Sequence, residues 1–300
     1  FIRLVGSSNQ IAQLFVHPFT IPGLSRSHET QQYIDKYYTS LDQLQHDGLD
    51  ALIITGANIA NPTLEEEPFW KPLQEAMKWA MNNVTSVLCS CLATHALVKQ
   101  LHNIDRQRLT RKRWGVYSHR ITQSQHPLLR DINTRFDVPH SRYNAITSDQ
   151  MKTAGLTVLV ESVEGDAHMA VSHDQFRIIY FQGHPEYYTN SLLKEYKREV
   201  TRFFNAERQG YPPHPQNYFG AEAAAIVDNY QQTAVTNLSR GQLPPPFPEK
   251  QVEMHLDNTW RDTSKALLNN WLGLVYELTD LERRAPFLKG INPDDPLGLL

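Results

Sequence analysis

Long apolar runs are missing from this 300-residue chain. No stretch approaches the roughly 18 consecutive apolar residues of a membrane span, and the opening F-I-R-L-V-G lacks the long apolar core of a signal peptide. The expectation is a cytoplasmic protein with no membrane partner. Cysteine is nearly absent too: Cys89 and Cys91 are the only two. They lie too close in sequence to staple a fold, and without a further ligand cluster they make a poor zinc site, so no disulfide framework, metal or bound cofactor is expected. Positive charge is not in excess. The net charge is −3, and the basic run Arg106 to Arg113 (R-Q-R-L-T-R-K-R) comes with no supporting nucleic-acid-binding motif, so it reads as a solvated face. Internal repeats are missing as well. What is present is 40% hydrophobic residues, enough for a large core in one α/β domain over residues 1–300. The chain begins with Phe1 rather than Met, so residues are expected to precede it.

Hydrophobic period gives the layout. Phe1 to Val5 reads as the end of a helix, Ile11 to Val16 has strand character, and Tyr33 to Gln45 is expected as one helix. Leu49 to Thr55 looks like a buried parallel strand ended by Gly56, followed by a helix from Trp70 to Asn82. Val84 to Cys91 is the next strand, and Leu92, Ala93, Ala96, Leu97 and Leu101 then recur at helical spacing. Such alternation argues for a doubly wound, mostly parallel α/β sheet with ligands at the carboxyl ends of its strands. Gly115 to His119 and F-D-V-P-H-S-R-Y read as short strands and loops. Leu156 to Ser162, Ala167 to Val171 and Phe176 to Gln182 form a strand series, and Leu192 to Phe204 a helix. From Gly210 prolines accumulate, and 210–259 is expected to be an irregular, surface-wrapping insertion with a modest helix at Glu222 to Gln232. A helix from Trp260 to Leu278 closes the fold.

Two stretches carry chemistry. Cys91 sits where a strand turns directly into a helix, beside unpaired N–H groups and the positive end of the helix dipole, which favour thiolate over thiol. From these residues alone it is either a candidate nucleophile or a buried, inert cysteine. The second stretch is Gly183-His184-Pro185-Glu186, directly after a strand. A parallel sheet places His184 at the same edge as Cys91, and Pro185 stiffens the turn so that Glu186 folds back toward the imidazole. Nucleophile, base and orienting carboxylate are the three roles of acyl transfer. The bland alternative is a surface histidine beside a helix-capping glutamate.

From D-G-L-D-A-L-I-I-T-G-A-N to Q-N-Y-F the chain resembles the homoserine O-succinyltransferase/O-acetyltransferase family of methionine biosynthesis. V-T-S-V-L, G-V-Y-S-H, P-H-S-R-Y, E-G-D-A, G-H-P-E-Y and E-Y-K-R-E occur in family order and near-family spacing, and W-R and N-W-L also match. The resemblance implies a class I glutamine amidotransferase-like fold of the flavodoxin-like, mostly parallel kind. It implies that Cys91 forms an acyl-thioester, with His184 as proton acceptor and Glu186 as its partner, and that Lys112, Ser141 and Arg198 contact substrate. Arg198 suits an amino acid carboxylate, Ser141 a hydrogen bond, and Lys112 an anionic group; each also has a plain reading as a solvated charge or turn residue. The resemblance further implies acyl-CoA as co-substrate and a homodimeric assembly.

In the family, a glutamate at the position of Ala60 goes with acetyl transfer and a glycine with succinyl transfer. Alanine is neither, but a small uncharged side chain leaves room for a succinyl carboxylate, so succinyl-CoA is favoured. The family's first strand and its lysine-containing oxyanion loop have no counterpart, and the Leu92 N–H supplies only part of an oxyanion hole. Leu92 also replaces a common aromatic residue, and Gly220 to Asn258 is longer than the usual connection. The alternatives are a glutamine amidotransferase-like cysteine hydrolase, the same acyl chemistry on serine, and a non-catalytic binding protein. Cys89 and Ala93, standing where hydrolases of this fold place glycines, count against the first.

Overall fold

A computed structural model describes every residue except Gln10, Asn58, Ala60, Arg283 and Arg284. In chain order its helices and strands are α1 (Ile2–Ser8), α2 (His28–Tyr37), α3 (Leu41–Asp47), β1 (Ala51–Ile54), α4 (Trp70–Asn83), β2 (Ser86–Ser90), α5 (Leu92–His102), β3 (Gln107–Ile121), β4 (Arg135–Ala145), α6 (Ser148–Thr153), β5 (Thr157–Ser162), β6 (Ala167–Val171), β7 (Ile178–Phe181), α7 (Ser191–Phe204), α8 (Ala221–Ser239), α9 (Glu249–Glu253) and α10 (Arg261–Leu278). Among the described residues seven strands form one sheet in the order β1-β2-β7-β6-β5-β3-β4. β2 pairs parallel with β1 and with β7, whereas β3, β4, β5 and β6 join through antiparallel pairings. The α/β class holds; the sheet is mixed rather than mostly parallel, with four antiparallel pairings and two parallel ones, and the parallel alternation read from the sequence belongs to β1, β2 and β7.

Side chains alternate across those parallel strands and build two cores. Val87 and Cys89 of β2 and Ile178 and Tyr180 of β7 pack with Leu73, Met77 and Ala80 of α4 and Ala93, Ala96 and Leu97 of α5. Leu88, Ile179 and Phe181 belong to the opposite core, with Val5 of α1 and Leu267, Leu268, Trp271 and Val275 of α10. Helices thus cover both faces, which is the doubly wound arrangement. The Trp271 indole N–H donates to Ser86 Oγ at 2.9 Å, fixing α10 to β2.

Four expectations from the sequence need correction. Ile11 to Val16 forms no strand: Ile11 and Phe15 are 95% and 79% exposed, and no neighbouring strand supplies the hydrogen bonds that would make this apolar run a ladder. Tyr33 to Gln45 is two helices, because Ser40 caps α3 by accepting from Gln43 N at 3.2 Å and Thr39 N donates to Pro18 O. The G-V-Y-S-H and P-H-S-R-Y stretches are parts of one long antiparallel hairpin, β3 and β4, in which Trp114 faces Ser141 and Gly115 faces His140.

The fourth concerns 210–259. It is irregular only in part: the expected helix at Glu222 to Gln232 is the middle of the longer α8, α9 follows, and both share a third core with α7 and β3 that contains Trp114, Tyr196, Tyr218, Val227, Tyr230 and Val252, so the segment packs into the fold rather than wrapping its surface. The segment is tied to β3 at Gly115, where Gln216 N donates to Trp114 O and Val116 N donates to Gln216 O. Gly115 has φ +145°, and a Cβ there would meet Gln216 O at 2.1 Å, so only glycine allows the approach.

Candidate active site

The turn from β2 into α5 is built around Cys91, whose φ of 55° and ψ of −115° are strained for a residue with a Cβ. Its surroundings hold it there. Cys91 N donates to Phe181 O at 2.8 Å, and the Thr94 hydroxyl donates to Phe181 O at 2.7 Å and Cys89 O at 3.1 Å, tying the first turn of α5 to β2 and β7. The result is a sharp strand-to-helix elbow that leaves Cys91 partly exposed while Cys89 is fully buried. Burial pushes the Cys89 thiol well up, which keeps it inert. Gly56, just past β1, packs against the elbow so closely that a Cβ on it would lie 3.1 Å from Leu92 N and 3.3 Å from Cys91 Cβ.

β7 ends one strand over and delivers Gly183 and His184 to the same edge. The turn is anchored by backbone: Gly183 N donates to His168 Nδ1 at 3.2 Å and His184 N to Pro139 O at 2.8 Å. His184 Nδ1 bonds Glu186 Oε1 at 2.9 Å, so a neutral ring carries its proton on Nδ1 and turns Nε2 outward as the acceptor. Burial opposes the charged imidazole, but the Glu186 carboxylate and the Cys91 sulfur, by charge and hydrogen bonding, outweigh it and push His184 up to about 10. The Tyr187 ring stacks on the imidazole at 4.2 Å and 17°.

A second polar group adjoins the first through that tyrosine. Glu195 of α7 accepts from Tyr187 OH at 2.7 Å and from Ser141 Oγ at 2.6 Å, and pairs with Lys112 Nζ at 3.3 Å. Burial alone would raise this carboxyl, but the Lys112 charge and the three hydrogen bonds hold it below its ordinary value. Lys112 sits 4.4 Å from the centre of the Trp114 ring, and burial, opposed by Glu195, lowers its pKa. Its charge is therefore matched within the protein. Arg198 lies one turn beyond Glu195, with a 63% exposed side chain and a 3.8 Å contact to Glu199.

Thus Cys91, His184 and Glu186 meet at one sheet edge, and Lys112 and Ser141 meet at Glu195, while Arg198 stands at the outer rim. Ala60 lies outside the described residues. Tyr187, Glu195, Arg142 and Gly56 are additions that the sequence reading did not single out. Their signals were present: Tyr187 follows G-H-P-E, Glu195 opens E-Y-K-R-E three residues before Arg198, Arg142 follows Ser141, and Gly56 ends a strand that points at the elbow. Arg142 is buried, donates to Asp166, Asn144 O and His140 Nδ1, and lies within electrostatic reach of Cys91. Among the described residues no group of three or more His, Cys, Asp or Glu is arranged to hold a metal ion, and no helix is long and apolar enough to cross a membrane.

A family model for homoserine O-succinyltransferase matches residues 1–281. The homoserine O-succinyltransferase of Methylococcus capsulatus is 56% identical over 299 residues, which is 100% of this chain and 84% of that protein. That of Nitrosococcus oceani is 54% identical with the same coverage. A solved glutamine amidotransferase from Thermotoga maritima aligns over 83% of this chain and 91% of its own at 14% identity and a TM-score of 0.43.

Proposed function

This chain belongs to the homoserine O-succinyltransferase family, and we propose that it moves a succinyl group from succinyl-CoA to the homoserine hydroxyl through a thioester on Cys91. The observation that carries the reading is the elbow cysteine facing a histidine whose Nδ1 is held at 2.9 Å by Glu186. In the first half-reaction the Cys91 sulfur attacks the donor carbonyl, the new S–C bond forms, and the CoA sulfur leaves with a proton from the imidazolium. The Leu92 N–H, at the start of α5, is the chain's own donor toward the oxyanion.

The second half-reaction needs His184 as a base, and acylation itself prepares it. A charged Cys91 sulfur is one of the influences that raise the histidine. Once that sulfur carries an acyl group its charge is gone, and the imidazole becomes easier to deprotonate. Nε2 then takes the proton of the homoserine hydroxyl as its oxygen attacks the thioester; the C–O bond forms, the C–S bond breaks, and sulfur and imidazolium are restored. Glu195, with Ser141 and Lys112, is placed to receive the amino acid's charged end, and Arg198 at the rim suits its carboxylate. The small Ala60 side chain and the family's name favour succinyl over acetyl.

Mass spectrometry after mixing with succinyl-CoA or acetyl-CoA tests this. Expected is one succinyl adduct that vanishes in Cys91→Ala and is discharged by homoserine faster than by serine. Active protein that shows no Cys91-dependent adduct, or releases ammonia from glutamine, overturns the proposal.

A further inference from the structure

Past β7 the chain changes partners just before His184. Gln182 N still donates to His168 O of β6 at 2.9 Å, but two residues on His184 N donates to Pro139 O of β4 instead. The Gly183 N–H lies between them, in a buried turn at the crossing from one strand to the other. A buried amide without an acceptor is costly. The His168 ring supplies one: Gly183 N donates to His168 Nδ1 at 3.2 Å.

His168 belongs to a layer of three fully buried rings. His119 of β3, His140 of β4 and His168 have centroids 5.1, 5.2 and 5.8 Å apart. Hydrogen-bond direction fixes their protons. Arg142 Nε donates to His140 Nδ1, so a neutral His140 carries its proton on Nε2 and offers it to His119 Nε2 at 3.2 Å; His119 keeps its own on Nδ1, against Tyr117 O at 2.9 Å. His168, accepting on Nδ1, carries its proton on Nε2, which is buried and has no partner among the described residues. A phenylalanine would stack on Phe181 as this ring does, at 5.2 Å and 22°, without that orphan. What the imidazole adds is the acceptor for Gly183. Burial holds all three rings below the ordinary histidine value, and for His168 the charges of His119, Arg142 and His184 act in the same direction. Two histidines at one edge are thus driven apart, His184 toward its charged form and His168 toward its neutral one.

We propose that His168 is a positioning residue for the acyl transfer: its Nδ1 pins the Gly183 amide and thereby sets the His184 ring against the Cys91 sulfur. The proposal rests on the Cys91–His184 reading above and adds what registers the pair. Glu186 does not do this, because it lies on the same turn as His184 and moves with it. The turn is attached to neighbouring strands at His184 N and at Gly183 N, and the second attachment hangs on one side chain.

The test uses the full chain with three variants. His168→Phe keeps the stack and removes the acceptor, His168→Asn puts an amide oxygen near the place of Nδ1, and His168→Gln carries its amide one carbon further out. Two rates are read: alkylation of Cys91 by iodoacetamide against pH, with Cys91→Ala as the blank, and release of CoA from succinyl-CoA in the first turnover. In His168→Phe the first turnover should slow about 10–100-fold with homoserine KM unchanged. The alkylation profile should move to higher pH as the thiolate loses its imidazolium partner. His168→Asn should bring the rate back to within about three-fold of the parent, and His168→Gln should not. A His168→Phe chain with the parent's profile and rate, or a loss that asparagine and glutamine restore equally or not at all, overturns the proposal. If His168→Phe does not fold, the asparagine and glutamine variants decide on the same difference. If the parent takes no succinyl group while the alkylation profile still shifts in His168→Phe and returns in His168→Asn, it is the acyl-donor reading that fails and the positioning stands.

Discussion

Gly56→Ala should disable the chemistry while sparing the fold. The added methyl would sit 3.1 Å from Leu92 N and 3.3 Å from Cys91 Cβ, against comfortable carbon contacts of about 3.5–4.0 Å. Gly56 is not among the residues with positive φ, so alanine meets no backbone strain there and narrows the unfolded ensemble by about 0.4–1 kcal/mol. The squeeze of a few tenths of an ångström roughly cancels that gain, leaving the unfolding midpoint near its original value. Catalysis has no such offset. The methyl crowds the N–H assigned to the oxyanion and pushes on the nucleophile's own carbon; loss of one such donor costs about 10²–10³-fold in kcat. Stopped-flow measurement of CoA release in the first turnover, with urea denaturation of the same sample, separates the two effects. First-turnover rates within about two-fold of the parent, against the 10²-fold expected, would refute the proposed role of this edge.

Glu186→Gln removes the leading influence that raises His184 to about 10. The alkaline limb of the CoA-release burst should therefore move to lower pH and the rate fall by about 10²–10⁴-fold; an unmoved limb contradicts the pairing. Burial holds His95 at about 3 and His119 and His126 at about 4, below their unfolded value of about 6.5. The unfolded chain thus takes up protons first: stability is full above pH ~6.5 and falls toward pH 4 by about 1.4 kcal/mol per unit for each histidine. Urea titrations at pH 7, 6 and 5 that give one midpoint would contradict this. Gly183→Ala would drive a methyl to 2.5 Å from Val138 Cγ1 and 2.9 Å from His140 Cε1, so a loss of about 1–3 kcal/mol is expected in urea denaturation, and a wild-type midpoint would show that the turn yields freely. Tyr187→Phe keeps the stack on His184 but removes a donor to Glu195. Homoserine KM should rise while acyl-enzyme formation holds its rate, and a slowed first half-reaction would show that the hydroxyl serves His184 instead.

Local pattern made the sheet's parallel part readable. β2, α5 and β7 each carry an unbroken apolar signal, so the elbow at Cys91 and the turn at Gly183 could be located, and parallel pairing put them at one edge. β3 and β4 were harder, because R-L-T-R-K-R mixes charge with apolar residues and owes its strand form to a partner about 30 residues away. In 210–259 the helix at Glu222 to Gln232 was legible, but not the length of α8 nor its packing, because its apolar face belongs to a core with Tyr196 and Val200 of a helix that only the tertiary fold brings near. Ile11 to Val16 shows the converse: suitable residues make no strand without a neighbour to pair with. Glu195 was hidden for a similar reason. Its chemistry depends on Lys112 and Ser141 from two other strands, and no spacing within α7 announces them.

The seam at Gly115 also sets an order of assembly. Gln216 leaves the ribosome about a hundred residues after the glycine it must lie against, and Trp260, whose indole donates to Tyr187 O, comes later still. Chain synthesis proceeds from the N-terminus, so Cys91 and His184 are made before the residues that back the wall carrying Tyr187, Glu195 and Lys112, and before Trp271, which backs β2. A nascent chain stalled before these residues would hold a thiol with an unfinished acceptor side. Hydrolysis of the donor, without transfer, is the activity to look for in such truncated products.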